Sequence, residues 1–199
     1  MSRYLSILSF LVVLSWVAFP TSAFAQNRQG FWFGFGGGYG SAGVSCDDCE
    51  GGRESSGAGY LRGGWTLNPQ TLIGLDFNLW AKAANLEPGI DATLNMYNVM
   101  GSITYYPPAT NFFVKGGAGV SILDTDIKVR GSNVSADLGQ GFGFIVGAGY
   151  DFPLGSRVAL TPAVDFWYGT LGDLKIAGDT FTTNWKQNVI NVTVGLTFP

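Results

Sequence analysis

The sequence predicts an all-β chain: an eight-stranded antiparallel up-and-down transmembrane β-barrel behind an N-terminal signal peptide. Three observations carry that expectation. Eight segments alternate bulky apolar residues with small or polar ones at period two. The connections between them alternate strictly between short and long. Through the body of every segment the bulky face is free of charge and the ionisable Asp, Glu, Lys and Arg fall on the glycine-rich face; Lys186, the first residue of the last segment, is the one exception.

The first element is the export signal. Met1-Ser2-Arg3-Tyr4 is a short positive start, followed by an apolar run from Leu5 through Phe19. Pro20-Thr21-Ser22 then leads into the small-residue pattern Ala23-Phe24-Ala25, which places cleavage before Gln26. This fifteen-residue, largely apolar run is too short for a spanning helix, which needs ~20. Residues 1–25 are therefore expected to be removed, leaving 26–199 as one domain.

The eight strands are expected at 30–44, 57–67, 71–82, 92–106, 111–123, 139–152, 157–169 and 186–198. Short turns follow the second, fourth and sixth: Asn68-Pro69-Gln70, Pro107-Pro108-Ala109-Thr110 and Pro153-Leu154-Gly155-Ser156. Long polar loops, 45–56, 83–91, 124–138 and 170–185, follow the others. In the last strand one face reads Ile190, Val192, Val194, Leu196, Phe198 and the other Val189, Asn191, Thr193, Gly195, Thr197. The sixth gives Phe142, Phe144, Val146, Ala148, Tyr150 against Gly143, Ile145, Gly147, Gly149, Asp151. Pro162 is the exception to smooth pairing, since it has no N–H for a ladder, and a bulge or bend is expected there.

The uncharged bulky face decides the class. A water-soluble barrel would turn its charges outward, whereas here the charged face is the one too small to make an ordinary core. In lipid a charge on the outer face costs ~2–4 kcal/mol at the midplane, which accounts for its absence there. A sheet in hydrocarbon must also close, because no water satisfies an open edge. Eight strands close into a barrel that side chains can fill. Aromatics gather at both ends of the apolar face, Phe31, Trp65, Tyr105 and Phe198 near the short turns and Tyr39, Phe77, Tyr97 and Tyr168 near the long loops, as two interfacial girdles would.

Composition narrows function. The chain has no histidine, the commonest general base and metal ligand near neutral pH. Its formal charge of −3 gives no basic field for nucleic acid. Gly34, Gly36 and Gly38 spell part of a dinucleotide-loop text, but no helix context follows them. No catalytic residue, cofactor site or metal site is expected.

Gly-Phe-Trp-Phe-Gly-Phe-Gly-Gly-Gly-Tyr-Gly at 30–40, Val-Gly-Ala-Gly-Tyr-Asp-Phe-Pro-Leu-Gly at 146–155 and Asn-Val-Thr-Val-Gly-Leu-Thr-Phe at 191–198 carry a resemblance. The mature chain resembles the small eight-stranded outer-membrane β-barrels of the OmpA, OmpX and opacity-protein type. The resemblance implies a bacterial outer-membrane location. It also implies a terminal aromatic read by the barrel-assembly machinery, which Phe198 matches, with Pro199 after it.

Six charges are expected inside the barrel: Arg62, Asp76, Lys115, Asp151, Arg157 and Asp165. Pairing through Leu67 and Thr71 puts Arg62 opposite Asp76, and the next turn brings Asp151 and Arg157 to matching ends. Such charges either line an ion-selective lumen or neutralise one another in a closed polar core, and the bulky inward residues Trp32, Tyr60, Trp80, Met96, Met100, Tyr106, Phe113 and Trp167 favour the closed core. Cys46 and Cys49 in the first loop are expected to form a local disulfide after export. The acidic loops are read as solvated, with cation bridges to lipopolysaccharide phosphates as the other possibility.

The expected function is non-enzymatic: envelope integrity, or surface interaction through the long loops. A narrow porin-like channel is the alternative, and a lipid-modifying enzyme a remote one because histidine is missing. The expected partners are outer-membrane lipids, lipopolysaccharide and, during insertion, the assembly machinery. No nucleic acid is expected, and the chain is expected to be a monomer.

Overall fold

The computed structural model describes residues 28–45, 52–87, 90–129, 132–176 and 179–199. The expected signal peptide, its cleavage point, Cys46 and Cys49 lie outside the described residues. The strands are β1 (Gly30–Ser45), β2 (Arg53–Asn68), β3 (Thr71–Glu87), β4 (Ile90–Tyr105), β5 (Phe112–Val129), β6 (Ser132–Tyr150), β7 (Phe152–Pro153), β8 (Ala159–Ile176) and β9 (Asp179–Phe198).

Each long strand pairs antiparallel with its sequence neighbour, and β1 pairs with β9 to close the wall. The two-residue β7 continues β6: Gly149 faces Ala163 and Phe152 faces Leu160, one register across both. The barrel therefore has eight staves. No edge is left to meet hydrocarbon along the paired band.

Alternation places the side chains as expected. Phe33, Phe35, Trp65, Leu75, Ile103, Phe142, Val164 and Val192 point outward and are exposed. Trp32, Trp80, Met96, Met100, Phe113, Ile145 and Trp167 are buried inside. On the outer face Phe33 stacks on Phe198 across the closing β1–β9 seam, with ring centroids 4.6 Å apart.

Two expectations about the strands are corrected. Three of the four long loops are mostly strand: β3 runs to Glu87 with β4 starting at Ile90, β5 runs to Val129 with β6 starting at Ser132, and β8 runs to Ile176 with β9 starting at Asp179. Apolar alternation marks only the stretch that lipid touches, whereas the hydrogen-bond ladder continues wherever backbone partners remain. The long strands have 16 to 20 residues, against the ~9–11 that a membrane crossing needs. The surplus forms hairpins that stand beyond the apolar band.

The bulge expected at Pro162 is absent. Pro162 pairs with Val194 in unbroken register on the β9 side. On the other side the ladder only misses its rungs at Tyr150 and Asp151 and resumes in step. The Asp151 N–H donates to the Asn111 carbonyl at 2.9 Å, which carries the β5–β6 register one residue past the strand ends. A missing donor thus costs one rung and leaves the register alone.

Candidate functional site

Among the described residues the lumen holds the buried charges, in layers that follow, Arg28 apart, from strand parity. At the short-turn end Trp32, Leu72, Tyr106, Phe113 and Ala163 form an apolar cluster. Asp151 stands beside it and accepts hydrogen bonds from Tyr106 Oη at 2.8 Å and Thr161 Oγ1 at 2.7 Å. Its cation is Arg28, at 3.6 Å, whose guanidinium also lies 3.5 Å from the centre of the Tyr106 ring.

This corrects the pairing expected between Asp151 and Arg157. Arg157 is exposed, in the turn before β8, where the ladder has not yet begun. The Leu154 N–H donates to the Val158 carbonyl and closes that turn, so Arg157 falls outside the alternation that would aim it inward. Arg28 precedes the first strand and carries no periodic signal. Only the need for a third interior cation could have pointed to it.

Above this layer Lys115 Nζ lies 2.7 Å from Asp76 and 3.1 Å from Asp165. Ser102 Oγ donates to the other Asp76 oxygen at 3.2 Å. Arg62 does face Asp76 in the register. Its guanidinium instead bonds Thr197 Oγ1 at 3.0 Å and lies over the rings of Tyr60 and Phe113, at 4.9 and 5.3 Å. The expected Arg62–Asp76 ion pair is thus replaced by Lys115–Asp76. Asn78 and Asn98, one rung higher, join at 2.8 Å.

Glycine makes this density possible. Gly36 and Gly195 face each other across the closing seam, with Tyr60 beside Gly36 on β2. A Cβ on Gly36 would stand 2.7 Å from both Gly195 Cα and Tyr60 Cε1. The missing side chains are the space in which the Tyr60 ring lies.

The charge account closes. The buried charged residues described are three cations, Arg28, Arg62 and Lys115, and three carboxylates, Asp76, Asp151 and Asp165. Such a belt is electroneutral in sum: Arg28 and Lys115 hold the three carboxylates, while Arg62 is held by the Thr197 hydroxyl and the Tyr60 and Phe113 rings. Higher still, Trp80, Met96, Met100, Leu123, Ile145, Trp167 and Val189 form a second apolar cluster. The Trp80 indole N–H donates to the Gly40 carbonyl at 3.0 Å. Above that cluster the hairpin end opens into a cavity of about 550 Å³.

The comparisons agree with this architecture. The family model for the outer membrane protein beta-barrel domain matches residues 11–198. No curated protein sequence matches the chain. Among solved structures it is similar to Neisserial surface protein A, at 16% identity and a TM-score of 0.55, over 86% of this chain and 97% of that one. It is also similar to Ail, the attachment invasion locus protein of Yersinia pestis, at 13% identity and a TM-score of 0.54, over 85% of this chain and 99% of that one. These likenesses show the fold, and the family match covers nearly all of the sequence; the chain belongs to the outer membrane protein beta-barrel domain family.

Proposed function

We propose that the chain is a closed, non-enzymatic outer-membrane barrel that presents its extended hairpins at the cell surface, in envelope integrity or as an interaction module. The observation that carries this reading is the filling of the lumen. Two apolar clusters, one around Phe113 and one around Trp80 and Trp167, stand above and below the ionic belt. An ion moving along the axis would have to shed its water twice in apolar surroundings. The belt itself supports the same reading, since its three carboxylates are held by Arg28 and Lys115 and its charges sum to zero.

Exported protein refolded into planar bilayers tests this. The expected result is an absence of reproducible unitary current steps from membranes that demonstrably contain folded barrel. Steps that change their cation selectivity in Asp76→Asn or Lys115→Met would overturn the closed barrel in favour of a narrow channel.

A further inference from the structure

We propose that the cavity at the hairpin end is a binding site for a small, neutral, ring-bearing molecule with one hydrogen-bond acceptor. This goes beyond the closed-barrel reading and does not depend on it. The cavity holds about 550 Å³, within the range of ordinary small-molecule sites. Its floor is formed by Trp80 and Met96, and Trp185, Leu94, Val44 and Ala92 line it above. Indole faces and a thioether favour flat rings over open chains.

The polar groups set the rest of the chemistry. Lys82 Nζ bonds Glu54 Oε2 within the lining, so the two charges cancel and leave no field to select an ion. The Thr125 hydroxyl donates to the Thr93 carbonyl at 3.3 Å, which leaves it free to accept. The Trp185 indole N–H is buried and meets no acceptor among the described residues. A hydroxyl or carbonyl oxygen on the ligand would satisfy it, and a buried donor left unmet is costly. Because Trp80, Met96, Met100 and Trp167 are buried beneath, the ligand would be held at this end and not passed along the axis.

The test uses the mature chain in nanodiscs of deuterated lipid, with 2-naphthol, naphthalene and 1-octanol as probes. 2-Naphthol should bind saturably and give nuclear Overhauser contacts to the Leu94 and Met96 methyls. Naphthalene should bind about 3- to 10-fold more weakly, the worth of one hydrogen bond. Trp185→Phe should erase that difference while keeping naphthalene binding, and Ala92→Trp should abolish both by filling the site. Heat-dependent gel mobility verifies that each variant is folded. Binding no greater than to empty nanodiscs, contacts confined to outward residues such as Ile103 and Val192, or full binding by Ala92→Trp would overturn the site. Equal binding of 1-octanol would overturn its preference for rings. None of these outcomes bears on conductance, so the closed-barrel reading is judged separately.

Discussion

Lys115 and Asp76, on strands separated by β4, form an ion pair 2.7 Å long, although Asp76 faces Arg62 in the register. In a narrow barrel, inward side chains two strands apart converge toward the axis. The long Lys115 chain reaches both Asp76 and Asp165, while the rings of Tyr60 and Phe113 hold the Arg62 guanidinium elsewhere. Register identifies neighbours, and packing decides which neighbour is bonded.

The first prediction is a double-mutant cycle on this pair. Removing one member of a buried pair costs about 3–5 kcal/mol, whereas replacing both is milder. Lys115→Ala and Asp76→Ala should each destabilise the barrel by that order in urea unfolding from lipid vesicles. The double variant should recover part of the loss, with a coupling above about 1 kcal/mol. The Arg62–Asp76 cycle should give a smaller coupling. The reverse ranking would place the ion pair back on Arg62.

A set of single variants addresses the lower layer. Asp151→Ala leaves Arg28 buried without its carboxylate and also strips acceptors from Tyr106 and Thr161. It should therefore destabilise more than Tyr106→Phe, which removes one hydrogen bond and costs about 0.5–1.5 kcal/mol. Arg157→Ala, in the exposed turn, should change stability by less than about 0.5 kcal/mol. A large loss from Arg157→Ala would contradict its position outside the lumen.

The glycine seam gives a third test. Gly36→Ala would press on Tyr60 and Gly195, and Gly195→Ala would meet the Tyr60 hydroxyl and the Phe35 carbonyl. Overpacking of this kind costs about 1–3 kcal/mol. Outward Gly37, where a Cβ would meet only the Ala58 carbonyl at 3.6 Å, should tolerate alanine. Thermal unfolding in lipid would compare the three, and equal effects would mean that Tyr60 does not lie over the seam.

Topology can be read on intact cells. With the hairpins outside, added protease should cut within 45–56, 124–138 or 170–185 and spare the turns at 68–70 and 107–110. Cleavage confined to those two turns would invert the barrel.

The thiols supply the last measurement. Non-reducing mass spectrometry of the exported protein should find Cys46 linked to Cys49. Alkylation of both thiols without prior reduction would show the disulfide to be absent. A bridge that closes so short a loop should change stability little.

Fold class and side-chain facing were legible in the sequence because lipid imposes a strict rule on every second residue. A charge-free run such as Phe31, Phe33, Phe35, or Ile190 through Phe198, records that rule directly. The same parity turns Asp76, Lys115 and Asp165 inward. Where the rule stops, so does the signal. Beyond the apolar band, Ala84, Asp126 and Ser135 lie in strands that alternation could not mark, because water accepts either face. Arg28 lies before the first strand, and Arg157 lies in a turn that no periodicity describes. The choice of Lys115 over Arg62 for Asp76 depended on distances across the closed lumen, which only the tertiary structure decides. Periodicity fixes which face a residue takes; the narrowness of the barrel determines what it touches there.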